Sequence, residues 1–188
     1  MAIPFHSGEP EPGASFETAR ARAASLQLPE QVKFTSLEAE EGVIGACFID
    51  GGETLEKCLA AGVGPDDFYD TKHAIVFRAM LAMREAGEGI ESATVALFMQ
   101  GNGSLEAVGG FVFIAQVGGR VPTTAMAALS IRKVRELATV RRIIRSAGST
   151  LDDCHNFNGT NLPEILDNLK RRFEISPLGG KIRAPFTV

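Results

Sequence analysis

Gly179-Gly180-Lys181 is the part of this sequence nearest in type to a phosphate-binding loop. Such a loop needs a glycine five positions before the Gly-Lys pair and a Ser or Thr directly after it. Those places hold Ile175 and Ile182, and Pro177 interrupts the run, so the stretch reads as a flexible linker. Asp152-Asp153-Cys154-His155 groups four potential metal ligands. Adjacent residues rarely converge on one ion, and no second ligand pair follows at a usual spacing, so a solvated loop is the better reading. Cys47 and Cys58 fall at apolar helix positions, where a thiol behaves as a small hydrophobe. A Cys–His nucleophile would need His73, which lies in the first turn of its own helix and reads as a capping or packing residue. Glu40-Glu41 and Asp66-Asp67 are paired carboxylates of the kind used in acid–base catalysis. Both pairs sit in turns or first helical turns, where a carboxylate favours the helix N-terminus by about 0.3–1 kcal/mol. Asn158-Gly159-Thr160 is a glycosylation sequon in form and a turn by composition. No catalytic, cofactor or metal residue is assigned.

What rises above background is charge. Residues 1–119 carry 7 basic against 17 acidic side chains, −10, and residues 120–188 carry 12 against 6, +6, within a net charge of −4. An acidic first part joined to a basic second part points to an interaction surface. The basic set is Arg132, Lys133, Arg135, Arg141, Arg142 and Arg145. It is consistent with a solvated helix face, with docking onto an acidic protein surface, and with nucleic acid. The last reading lacks the interleaved aromatics that would favour it.

The elements that must carry these residues are helical. There is no Trp and one Tyr, Ala and Leu are frequent, and runs of β-branched residues are few. Residues 1–34, rich in Pro and Gly, read as a disordered tail. Thr35-Ser36-Leu37-Glu38 fits a capping box opening a helix that buries Val43, Ile44, Cys47 and Phe48 and stops near Asp50-Gly51-Gly52. A short helix over 54–61 follows, then a turn with Phe68 and Tyr69 plugging the core. Asp70 caps a helix over 71–86 closed by Gly87, and a further helix spans 93–100. Phe111-Val112-Phe113-Ile114 is helical too, since no partner strand is evident. These elements make a compact head over residues 35–122.

Thr123 or Thr124 caps a helix running to about Leu151, far beyond the average of roughly 12 residues. At 100° per residue, Ile131, Val134 and Ala138 share one face. Leu137, Val140, Ile144, Ala147 and Leu151 share nearly the opposite one. Such a helix cannot pack on one core throughout, so its second half should leave the head. After a polar loop from Asp152 to Thr160, Asn161 caps a helix whose Leu162, Leu166, Leu169 and Phe173 fall at spacings of 4, 3 and 4, an a/d seam. The fold class is therefore all-α, a compact multi-helix head followed by a long antiparallel hairpin over residues 123–175. The hairpin has enough apolar edge to dimerise. Residues 176–188 read as the start of a linker.

The longest apolar runs fall far short of the ~18 residues a membrane span needs. No basic segment followed by an apolar one marks a secretory signal, and three scattered cysteines make no disulfide framework. A cytoplasmic location is the expectation.

In order along the chain, Ala39-Glu40-Glu41-Gly42-Val43-Ile44-Gly45, Asp67-Phe68-Tyr69, His73-Ala74-Ile75-Val76-Phe77, Val108-Gly109-Gly110-Phe111, Val121-Pro122-Thr123, Val134-Arg135-Glu136, Arg141-Arg142, Leu166-Asp167 and Phe173-Glu174-Ile175 resemble the N-terminal domain of DnaB-type replicative DNA helicases. The resemblance covers about residues 36–175. It departs at Met126 and Ser130, where the family commonly has Asn and Tyr, and at Gly89-Ile90-Glu91, where it has Pro-Ile-Asp. It implies a helical head and hairpin that pair into a trimer-of-dimers collar and offer surface to primase and helicase loader in the replisome. The ATPase domain, with its ATP and Mg, would lie downstream of this sequence, leaving no cofactor in this chain. The interface expected is Leu137, Val140, Ile144, Ala147, Leu151, Leu162, Leu166, Leu169 and Phe173. Arg135, Arg141, Arg142 and Arg145 are candidates for nucleic-acid or partner contact. Two other readings are a stand-alone regulator or inhibitor that binds a replicative helicase, and a helical DNA-binding domain using the basic 132–145 face.

Overall fold

The computed structural model describes residues 34–121 and 123–174. The N-terminal stretch to Lys33, Pro122, the side chains of Phe173 and Glu174 and everything from Ile175 onward, including Gly179-Gly180-Lys181, lie outside the described residues.

The chain is helical throughout the described residues. α1 is Leu37–Ile49, α2 Glu53–Ala60, α3 Thr71–Glu85, α4 Ser92–Gly101, α5 Leu105–Val108, α6 Gly110–Arg120, α7 Ala127–His155 and α8 Leu162–Glu174, with 3-10 turns at Pro65–Asp67 and Thr124–Met126. Local chemistry sets the boundaries. Ser36, not Thr35, caps α1 by accepting from the Ala39 amide at 3.3 Å. Asp70 caps α3 by accepting from the Lys72 amide at 2.7 Å, and Gly87 follows its end at φ +72°. Thr123 accepts from the Ala125 amide at 3.2 Å and opens the 3-10 turn that leads into α7. Phe111–Ile114 lies in α6, as the lack of a partner strand predicts.

α1 is the central element, packed along α7 and α6. Its glycines allow the close approach. A Cβ at Gly42 would stand 2.6 Å from Ser130 Oγ, and one at Gly45 would stand 2.6 Å from Val121 Cγ2. Glycine within a helix costs about 1 kcal/mol relative to alanine, and here tight packing offsets it. Around α1 the head encloses Val43, Ile44, Leu55, Phe77, Met80, Met83, Val95 and Met99 without solvent contact. Phe68 joins this core, its ring 4.9 Å from that of Phe77, but Tyr69 does not plug it. Tyr69 is exposed, because the backbone is extended at Phe68, after the turn at Pro65–Asp67, and successive side chains there point to opposite sides.

α7 has 29 residues, a rod of about 44 Å at 1.5 Å per residue. Ala127, Ile131, Val134 and Ala138 are its buried residues, all in the first half. Asp152 to His155 continue the helix rather than forming a loop, so the turn of the hairpin is confined to residues 156–161. Asn161 stands at the N-cap position of α8, its carbonyl accepting from the Ile165 amide at 3.1 Å, and its side chain is turned to the loop. Its Oδ1 accepts from the Asn158 amide at 3.1 Å and its Nδ2 donates to the Asn156 carbonyl, which closes the turn instead. α8 then returns antiparallel along the outer half of α7.

Candidate functional site

The carboxylate of Glu40, one turn into α1, is 2% exposed. It accepts from the backbone amides of Tyr69 at 2.7 Å and Asp70 at 3.1 Å, and its Oε2 lies 2.9 Å from His73 Nδ1. His73 is 1% exposed and stacks on Phe113, with ring centroids 5.7 Å apart. The first-turn dipole role expected for Glu40 is thus replaced by a cross-link. A buried carboxylate is tolerated only when its oxygens are satisfied, and three donors from α3 and the segment before it satisfy these. Glu41 instead points outward to Arg120, 2.5 Å away.

Beside this cross-link the long helix meets the head. Asp67 Oδ2 accepts from the Gly64 amide at 2.9 Å, which fixes the turn, and its Oδ1 lies 3.0 Å from the Arg142 guanidinium. Arg141 donates to the carbonyl oxygens of Phe34, at 2.6 Å, and of Asp67, and its guanidinium lies 5.9 Å from the centroid of the Tyr69 ring. Burial lowers the pKa of Arg141, with Glu40 and Asp67 acting in the opposite direction. Arg141 and Arg142, candidates from sequence for nucleic-acid or partner contact, have partners within the molecule. Arg135 is half-buried and engaged as well. Arg145 is exposed, its Nε donating back to the Arg141 carbonyl at 3.4 Å.

Beyond Arg142 the arm shows two unlike faces. The side of α8 turned to α7 carries Ile165, the buried apolar residue of the arm beyond Arg142 among the described side chains, together with polar contacts. Arg172 reaches Asp153 at 2.8 Å and Thr150 at 3.3 Å, and Asn168 reaches Asp153 at 3.4 Å. Asp153, grouped from sequence with Asp152, Cys154 and His155, is thus a partner of Arg172, and no three potential ligands converge on a metal position among the described residues. The outer side carries Ile143, Leu151, Leu162 and Leu166, each 47–55% exposed. Ala147 is exposed, while Leu137, Val140, Ile144 and Leu169 are half-buried. Sequence reasoning missed Ile143 and Ile165. The signal for Ile165 was present in Asp153, Asn168 and Arg172, whose complementary types mark the inward face.

The remaining features carry less. A cleft of about 310 Å³ lies between α2 and α7 over Ala61, Ala128 and Ile131. Its rim cations Lys57 and Arg132 pair with Glu53 at 2.9 Å and Glu136 at 3.9 Å on their own helices. Cys47 and Cys58 are fully buried, and burial pushes the Cys58 thiol up to about 12 and raises that of Cys47 as well. Neither thiol is a nucleophile at neutral pH. No helix among the described residues is long and apolar enough to cross a membrane.

Comparison with known proteins places this arrangement. Residues 32–136 match the family model described as the DnaB-like helicase N terminal domain. The chain is 33% identical over 143 residues to the replicative DNA helicase DnaB of Geobacillus stearothermophilus, covering 76% of this chain and 31% of that protein. It is 34% identical over 128 residues to the replicative DNA helicase DnaC of Bacillus subtilis strain 168, covering 68% of this chain and 27% of that protein. The chain thus spans about a third or less of the length of these curated relatives. Among solved structures, the N-terminal domain of DnaB helicase from Mycobacterium tuberculosis superposes with a TM-score of 0.68 at 25% identity, covering 76% of this chain and 99% of that one. A DnaB-like replicative helicase, described with its interactions with primase, shares the fold with a TM-score of 0.59 at 19% identity, covering 71% of this chain and 31% of that one.

Proposed function

Because the chain belongs to the DnaB-like helicase N-terminal domain family, we propose that it serves DNA replication as an oligomerisation and docking module. In this reading the arm holds a second copy of the chain, and pairs assemble into a collar, as a trimer of dimers. The collar offers its surface to primase and helicase loader. ATP-dependent unwinding, with ATP and Mg, belongs to an ATPase domain outside these 188 residues.

The single observation that supports the reading is the two-faced arm. Its inner face carries buried Ile165 and the contacts of Arg172 and Asn168 with Asp153, while Leu151, Leu162 and Leu166 are exposed. A second copy covering the outward residues would bury them at about 25 cal/mol per Å² of apolar area removed from water. One fold neighbour is described with its interactions with primase, which motivates the docking part of the reading.

Multi-angle light scattering tests it. The expected mass is at least twice the 20.0 kDa of one chain, falling to 20.0 kDa in Leu166→Asp. A monomeric parent protein, or an assembly unaffected by Leu166→Asp, would contradict the reading. ATP hydrolysis above background by the purified chain would contradict its assignment as a non-catalytic module.

A further inference from the structure

Among the described residues, the polar contacts that tie α7 beyond Ala138 to the head come from two consecutive arginines. Arg141 bridges the carbonyl oxygens of Phe34 and Asp67, segments that are 33 residues apart in the chain and meet only through the fold. Arg142 pairs with the side chain of the same Asp67 at 3.0 Å. Asp67 is itself held, since its other carboxylate oxygen accepts from the Gly64 amide at 2.9 Å. The turn at Pro65–Asp67 is anchored in turn by Phe68, buried against Phe77, and by the amides of Tyr69 and Asp70 bound to Glu40.

Below this point α7 is fastened by apolar burial of Ala127, Ile131, Val134 and Ala138. Above it no residue of α7 is buried. The outer section, from Arg142 to His155, is a lever of about 20 Å, so a tilt of about 15° at its base moves the tip by about 5 Å. Packed cores have discrete arrangements and resist such a tilt. The two hydrogen bonds of Arg141 and the ion pair of Arg142 have a second state available, in which the guanidinium groups and their acceptors are hydrated.

We propose that Arg141 and Arg142, gripping Asp67 and the Phe34 carbonyl, form a latch that fixes the direction of the arm relative to the head, and that the arm pivots about residues 139–142 when the latch opens. Arg141 also connects the arm to the point where the chain enters α1. A change in the backbone at Phe34 is therefore felt at the base of the arm. The latch acts within one chain, so it stands or falls independently of what the arm binds.

The exposed Cys154, near the arm tip, supplies one spin-label site, and Glu88→Cys on the exposed turn after α3 supplies the other. Cys47 and Cys58 are buried and stay unlabelled. Pulsed dipolar spectroscopy, with labelled protein diluted roughly tenfold in unlabelled chain, reads the intramolecular distance. The expected result is one narrow distribution in the parent, and in Arg141→Ala/Arg142→Ala a distribution at least twice as wide or displaced by several ångströms. Resistance of Cys47 and Cys58 to a thiol reagent reports that the head is still folded. If the double variant exposes those thiols, Asp67→Asn decides. It keeps an acceptor for the Gly64 amide, removes the charge that holds Arg142, and is expected to broaden the distribution to a lesser degree. An unchanged distance and width, in the double variant with a folded head or otherwise in Asp67→Asn, would overturn the latch.

Discussion

The head and the arm are built from the same kind of helix and close in opposite ways. In the head, α1 to α6 and the first half of α7 leave Ile44, Phe77, Met80, Met83 and Met99 without solvent contact, and the buried carboxylate of Glu40 is satisfied on both oxygens. In the arm, two helices lie side by side with Ile165 buried between them, and Ile143, Leu151, Leu162 and Leu166 remain at least 47% exposed. One helix, α7, serves both regions and changes character near Ala138. The contrast separates two duties. The head holds the fold, and the arm retains apolar area that this chain alone does not cover. A pair of helices with one small contact face is the weaker unit, so its order should depend on a partner far more than that of the head does.

The comparison breaks first at Glu40. Glu40→Ala leaves the Tyr69 and Asp70 amides and the His73 ring without their acceptor in the interior. Global stability should fall by about 3–5 kcal/mol in denaturant unfolding. A loss under 1 kcal/mol would mean that the cross-link is not what fastens α3 to α1.

Ile165→Ala probes the other region. It truncates the buried apolar side chain of α8, with an expected cost of about 2 kcal/mol, the low end for a large-to-small change because the site is thin and can collapse. The loss should show as faster amide exchange in α8 and outer α7, with exchange in α1 and α3 unchanged. Equal acceleration in both regions would erase the distinction.

The smallest effect is alkaline. The Cys58 thiol is pushed up to about 12 by burial, from an ordinary value of 9.0. Below pH 9 it is protonated in both states and adds no pH dependence. Above pH 9 the unfolded chain releases the proton while the folded head keeps it until about pH 12, so stability falls as pH rises. At pH 10 this amounts to about 1.4 kcal/mol. Cys58→Ala should flatten the decline in denaturant midpoint between pH 8 and 10 by that amount, and an identical decline would contradict the burial-driven shift.

Features fixed by near neighbours could be read from sequence. Asp70 and Gly87 bracket α3 because a cap acts over two or three residues. The face switch in α7 is legible because periodicity depends only on the order of side chains. Features fixed across the fold could not be read. Glu40 and its acceptor role require Tyr69, Asp70 and His73, which lie 29 to 33 residues away, so the local dipole argument chose the wrong duty for it. Arg141 and Arg142 look like a free basic face until Asp67 and Phe34 come beside them. Asp152–His155 reads as a polar loop because its residues favour solvent, yet Arg172 on α8 gives Asp153 a partner within a helix. The leucine spacing of α8 identifies an apolar stripe without saying which neighbour it faces. Ile165 takes the inner position, and Leu162 and Leu166 stay outside.

The most direct test of an arm held open for a second copy is amide hydrogen exchange of the unmodified chain at concentrations spread over three orders of magnitude. Protection of residues 143–155 and 162–170 should rise with concentration while that of α1 and α3 stays constant. Protection of the arm that ignores concentration, or a rise confined to the head, would contradict the account.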